Sequence, residues 1–193
     1  MTHRSLFASA FVLALALPVV ASAQNGGRIE APDVPSSIAV PEGNVAFLQT
    51  RGYGTQQYIC LPAGWKQFGP QATLYPQNAP MQIATHFLST NPQDGLPRPT
   101  WQDAHDGSRV WGKVFGLPLT DSNYVAPGAI PWLLLEAAGT AEGPIGGEVL
   151  AKTTFIHRVN TQGGVAPAGA CTVGAVALVP YSTDYFFYRK EKE

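Results

Sequence analysis

Thr153-Thr154-Phe155-Ile156-His157-Arg158-Val159-Asn160-Thr161 reads as a strand, because β-branched and aromatic side chains fit a pleated, half-buried surface. Gln162-Gly163-Gly164 then turns the chain, Cys171 follows, and Val179-Pro180-Tyr181 with Tyr185-Phe186-Phe187-Tyr188 forms a second strand loaded with aromatics. Two such strands across a Gly-Gly turn predict antiparallel β structure. The two-residue period puts Thr154, Ile156, Arg158 and Asn160 on one face, with His157 and Val159 on the other. Polar groups able to recognise a ligand (His157, Arg158, Asn160, Tyr181 and Asp184) therefore stand among residues that must pack.

Working back from this stretch, short strand-like runs recur between Gly and Pro. Val45 to Thr50 is expected to reach a turn at Gly52-Tyr53-Gly54, with Thr55 to Leu61 as the next strand. Trp65 to Phe68 alternates apolar and polar until Gly69-Pro70 breaks it, and Ala72 to Tyr75 and Met81 to Leu88 follow. Ser89 to Pro99 is a loop dense in turn formers, and Asp106-Gly107 opens the strand Ser108 to Phe115. Gly116 to Gly128 is a second long loop. Ile130-Pro131-Trp132-Leu133-Leu134-Leu135-Glu136-Ala137-Ala138 reads as a central strand buried on both faces. About nine or ten short strands at this spacing, without a sustained helical period, indicate an all-β antiparallel domain, either a barrel or a sandwich.

The start of the chain has the features of an export signal. His3 and Arg4 precede an apolar run from Leu6 to Val20, and Ala21-Ser22-Ala23 supplies the small-x-small cleavage pattern. The run is shorter than the roughly 20 apolar residues of a spanning helix, so no transmembrane segment is expected after cleavage. The expected organisation is a signal peptide at 1–23, a Pro-rich extended leader at 24–43 and one all-β domain at 44–189. A charged tail closes the chain at 190–193. The location follows as exported, periplasmic or extracellular. Cleavage removes Arg4 and leaves 11 basic against 13 acidic residues, a net charge of −2. That balance exerts no long-range pull on nucleic acid. In an oxidising compartment Cys60 and Cys171, with no other cysteine to join, most simply form one disulfide.

Several motifs in order resemble one family. They are Gly54-Thr55-Gln56-Gln57-Tyr58-Ile59-Cys60, Pro99-Thr100-Trp101 with Asp106-Gly107-Ser108, and Ile130-Pro131-Trp132-Leu133-Leu134. Arg158 to Pro167 with Cys171, and Val179-Pro180-Tyr181 with Tyr185 and Tyr188, complete the set. This chain resembles, from about Pro41 to Tyr188, a domain-of-unknown-function family of exported bacterial and fungal proteins. Some fungal members of that family carry the label malate dehydrogenase. The label does not transfer, because a nicotinamide enzyme needs a Gly-rich strand-to-helix turn and a βαβ rhythm, and neither is present.

The residues suggest three kinds of chemistry. The leading expectation is a binding or surface-interaction β-domain for a small or carbohydrate-like ligand, with His86, Trp101, Arg158, Asn160 and Tyr181 as its candidate residues. Trp101, beside the longest polar loop, is the aromatic expected to be most exposed. Arg158 either forms a pocket wall holding an anionic or carbonyl group, or pairs with Asp106 or Asp184 while Asn160 caps the Gly-Gly turn. The pairing is favoured, since buried polar groups need partners whether or not they act on a ligand. The alternative is a hydrolase-type enzyme using His86 and Arg158 in a cleft, although no serine lies in a GxSxG elbow and Ser108 is better explained by turn bonding to Asp106. A second alternative is a metalloprotein ligated by His86, His105 and His157, for which no HxH or HExxH spacing speaks. No cofactor is implied.

Overall fold

In a computed structural model, residues 29–191 are described; the signal-peptide expectation at 1–23 lies outside them. The strands are β1 (Asn44–Leu61), β2 (Gly64–Tyr75), β3 (Ala84–Thr90), β4 (Pro97–Asp103), β5 (Arg109–Val114), β6 (Leu133–Ala141), β7 (Phe155–Gly163) and β8 (Val176–Lys190). Each pairs antiparallel with its neighbour in sequence, and β8 returns to β1, closing an eight-stranded barrel. Closure removes the free edges that an open sheet of this length would expose. The all-β expectation holds, and the choice between barrel and sandwich resolves to barrel.

Eight strands replace the expected nine or ten because two supposed breaks are not breaks. Gly52-Tyr53-Gly54 does not turn; it lies inside the 18-residue β1. Its glycines answer a need for space: a Cβ on Gly52 would sit 2.9 Å from the Tyr185 ring, and one on Gly54 would sit 2.0 Å from the Gln71 carbonyl oxygen. Gly69-Pro70 likewise falls within β2, where a register shift against β1 absorbs one extra residue. The Ser89–Pro99 loop is shorter than expected, since β3 runs on to Thr90 and β4 starts at Pro97. The apolar run from Ile130 becomes strand only at Leu133.

Alternation divides the apolar residues into two cores. The barrel interior holds Leu74, Ala84, Trp101, Val110, Leu133, Leu135, Ile156, Tyr185 and Phe187. Outside, Leu134, Val159, Phe186 and Tyr188 are covered by Ile38, Val125, Ala129 and Trp132. Leu133 to Leu135 are thus buried on both faces, as their continuous apolarity predicts. Burying each large side chain contributes about 1.5–3 kcal/mol, so a second core on one flank is a substantial addition.

The segment before β1 is fastened to that outer core. Ile38 is fully buried at the end of a 3-10 turn, and its carbonyl accepts a bond from His157 Nε2 at 2.6 Å. A carbonyl can only accept, so Nε2 carries the proton and Nδ1 accepts from the Tyr188 hydroxyl at 2.8 Å. Both nitrogens of His157 are spent on the fold. Cys60 and Cys171 form the expected disulfide, tying the end of β1 to the loop before β8.

Candidate functional site

His86 on β3 faces into the barrel, where its ring stacks on Trp101 of β4 with centroids 4.2 Å apart. Tyr185 of β8 meets both rings edge-on, at 5.4 Å and 5.5 Å. His86 Nδ1 donates to the Thr100 carbonyl at 2.9 Å, which fixes the tautomer. Burial drives its pKa from the ordinary 6.5 down to about 3, the Thr100 bond opposing that shift and the Arg158 charge adding to it. The imidazole is therefore neutral at physiological pH. Among the described residues no Ser, Asp or Glu side chain bonds to it, so their geometry offers no base-activated nucleophile for the hydrolase alternative.

Arg158 enters the same interior from β7. Its Nη2 donates to the Pro131 carbonyl at 2.9 Å, while its Nε has no partner. Burial lowers its pKa, opposed by electrostatic interaction with Tyr185, Tyr181 and Tyr58. Neither expected carboxylate reaches it: Asp106 bonds Ser108 and the Val149 amide, and Asp184 bonds Arg51 and Asn160. Tyr181 and Tyr185 share a hydroxyl contact of 3.3 Å, and burial raises both phenols, keeping them protonated. Tyr58 donates to the Gly164 carbonyl at 2.7 Å. Four of the five candidate residues thus converge inside the barrel.

Two expectations about these residues are corrected. Asn160 does not share the face of Arg158: it takes a φ of 52° at a register shift between β7 and β8, which breaks the alternation and turns it outward. There it donates to Asp184 at 2.8 Å, so it does not cap the Gly-Gly turn. Trp101 is not exposed; only 1% of its surface is accessible. Among the described residues no group of three His, Cys, Asp or Glu side chains could hold a metal ion, and His105 is an exposed turn residue.

A concavity lies elsewhere, on the outer face of β1, β2 and β3. It is a groove of about 630 Å³ bordered by Tyr53, Gln57, Phe68, Gln71, Thr73, Thr85, Phe87 and Leu88, with His86 at its floor. Its origin is legible in β2. The β2–β3 ladder runs only from Leu74 to Gln71, where Pro70, lacking an N–H, and Gly69, with φ of 152°, interrupt it. Beyond that point the ladder pairing stops, and Phe68 and Leu88 border the groove. Tyr53 and Phe68 are 55% and 43% exposed, and no side chain lining the groove is ionised. A second hollow of about 620 Å³, bordered by Arg51, Tyr75 and Gln77, lies on the other side of Tyr53. Sequence reasoning missed this face because Tyr53 was assigned to a turn.

Residues 41–189 match the family described as Protein of unknown function (DUF3455). The chain belongs to that family. No curated protein and no solved structure matches it. The DUF3455 domain spans every strand of the barrel up to Arg189, so the polar interior and the outer groove both belong to it. Its description assigns no activity, and the closed antiparallel barrel has no βαβ unit in which a dinucleotide could bind.

Proposed function

We propose that this is an exported carbohydrate-binding β-barrel whose site is the groove across β1, β2 and β3. One observation carries the reading: this groove is lined by exposed aromatic rings, amides and hydroxyls, with no ionised side chain. Apolar ring faces stack on the C–H faces of sugars, and amides and hydroxyls serve hydroxyl groups that are both donors and acceptors. Gln57 Nε2 bonds Gln71 Oε1 at 2.9 Å, which leaves hydrogen-bonding capacity on both amides for a ligand. The apolar signal at 1–23 and the disulfide support an extracytoplasmic setting, where polysaccharides are met. His86 lies at the floor of the groove, and Trp101 stacks on it from the barrel interior.

The test is titration calorimetry of the secreted protein against a panel of neutral oligosaccharides, with Tyr53→Ala and Phe87→Ala beside it. Binding should survive 0.5 M NaCl, because no ionised group lines the groove. Each substitution should weaken binding at least tenfold. Binding that is equally strong in Tyr53→Ala, or no binding to any glycan, would defeat the assignment.

A further inference from the structure

The barrel interior contains a charge that the fold does not answer. Arg158 has no carboxylate and no aromatic ring against its guanidinium among the described residues, and one carbonyl accounts for all of its hydrogen bonding. Guanidinium groups stay protonated in proteins, and every other titratable group around it is neutral: His86 and the phenols of Tyr58, Tyr181 and Tyr185. The interior therefore has an uncompensated positive charge. Protein atoms enclose the guanidinium deeply and Nε is buried, although the residue as a whole keeps some accessible surface.

Other donors nearby are also unspent. Gln56 uses Oε1 to accept from Gln67, while its Nε2 is buried without a partner. A Cβ placed on Gly164 would lie 3.0 Å from Tyr181 Cβ and 3.2 Å from Gln56 Cγ, so these two side chains close on the same backbone. In the Tyr181–Tyr185 contact one hydroxyl donates to the other, leaving one phenolic proton free. Orphaned buried donors are rare in folded proteins, and Arg158 Nε and Gln56 Nε2 are two of them.

We infer that the interior beside Arg158 is a second ligand site, built for a small carboxylate held by Arg158 Nε, Gln56 Nε2 and a phenolic hydroxyl of the Tyr181–Tyr185 pair. A carboxylate supplies the missing charge, and its two oxygens offer about four lone-pair directions for three donors. The body of the ligand is small, because Trp101, Ile156, Leu135 and Phe187 already fill the rest of the barrel. This site is independent of the sugar groove, whose lining is neutral and faces outward.

The experiment titrates the 15N-labelled protein with sodium acetate and sodium benzoate, using sodium chloride at matched ionic strength as control. The Arg158 Nε–H resonance, assigned by its loss in Arg158→Lys, is followed together with the melting temperature. The expected result is a saturable shift of that resonance with a carboxylate and a melting temperature that rises with the logarithm of its concentration. Chloride does neither, Arg158→Met abolishes the thermal effect, and Tyr181→Phe weakens binding several-fold. An Arg158 resonance that neither carboxylate moves overturns the inference, as does an equal response to chloride or an equal thermal shift in Arg158→Met. Should Arg158→Met fail to fold, the wild-type resonance decides alone.

Discussion

Arg51 and Arg158 stand on strands that flank β8 on opposite sides, and their surroundings are opposite too. Arg51, on the outer face, reaches Asp184 at 3.0 Å and Ser182 at 3.1 Å, and Asn160 and Gln77 complete the shell around that carboxylate. Arg158, inside the barrel, has one carbonyl and an orphaned Nε. The same β8 that provides Asp184 outward provides phenols inward. A partly exposed charge has been given every partner while a buried one has been left open. Buried unpaired charge is the costlier state, so this distribution is the reverse of what stability alone would select. The interior arginine is therefore better understood through a ligand than through the fold, and the outer one through the fold.

The sharpest way to disturb the interior without touching either arginine is to open the disulfide. Cys60 and Cys171 are 111 residues apart, for which the chain-entropy model gives about 4–5 kcal/mol. Cys60→Ser with Cys171→Ser should lower stability by about that amount in urea unfolding, and should loosen the end of the barrel framed by Tyr58 and Gly164. An unchanged unfolding midpoint would show that strand pairing alone holds that end closed.

Acid tests the buried histidines next. His86 has its pKa lowered to about 3 and His157 is also lowered, both by burial. Between the unfolded value near 6.5 and the folded one, the unfolded chain binds the proton and the fold does not, so stability falls as pH falls. For His86 the loss is about 1.4 kcal/mol per pH unit across that window. Unfolding free energies measured from pH 7 to 4.5 should decline with a slope of at least that of one histidine, His86, to which the lowered His157 adds. The carboxylates Asp94 and Asp106, which are held low, add their loss only at lower pH. A flat profile across that range would mean that the imidazoles are protonated in place.

The sequence disclosed the class of fold through its two-residue alternation, and the burial of β6 on both faces through Leu133-Leu134-Leu135. It disclosed the bridge through arithmetic on two cysteines. The glycines of β1 misled, because Gly52 and Gly54 mark close approach by Tyr185 and β2, and local sequence cannot distinguish that from a turn. His86, Trp101, Arg158 and Tyr181 were identifiable as chemistry-bearing types on strands, and the barrel does bring them together. What could not be read was which face of each strand becomes the interior, since that depends on closure between β1 and β8 and on a bulge at Asn160. The groove was hidden for the same reason: it lies where the β2–β3 ladder ends.

Removing the shared carboxylate of the outer shell sharpens the contrast between the arginines. Asp184→Ala strips Arg51, Asn160 and Gln77 of their acceptor at once. Because Arg51 is 28% exposed, water takes up part of the loss, and a cost of about 2 kcal/mol is expected. The same substitution should leave the Arg158 Nε–H resonance where it was. Movement of that resonance would mean that the two faces of β8 are coupled.

The smallest change is the most discriminating. Arg158→Met replaces a buried, uncompensated cation by an apolar chain of similar length, which fits among Leu133, Ile156 and Tyr185. In ligand-free protein it should leave stability unaltered or raise it by up to about 1 kcal/mol, because desolvation of the charge is relieved and only the bond to Pro131 is lost. An arginine that fastened the fold would behave oppositely, costing 3 kcal/mol or so when removed. Urea midpoints of the two proteins, measured in a buffer free of carboxylates, separate these outcomes. Repeating the pair in acetate should restore the advantage of the wild type, since only Arg158 gains a partner there.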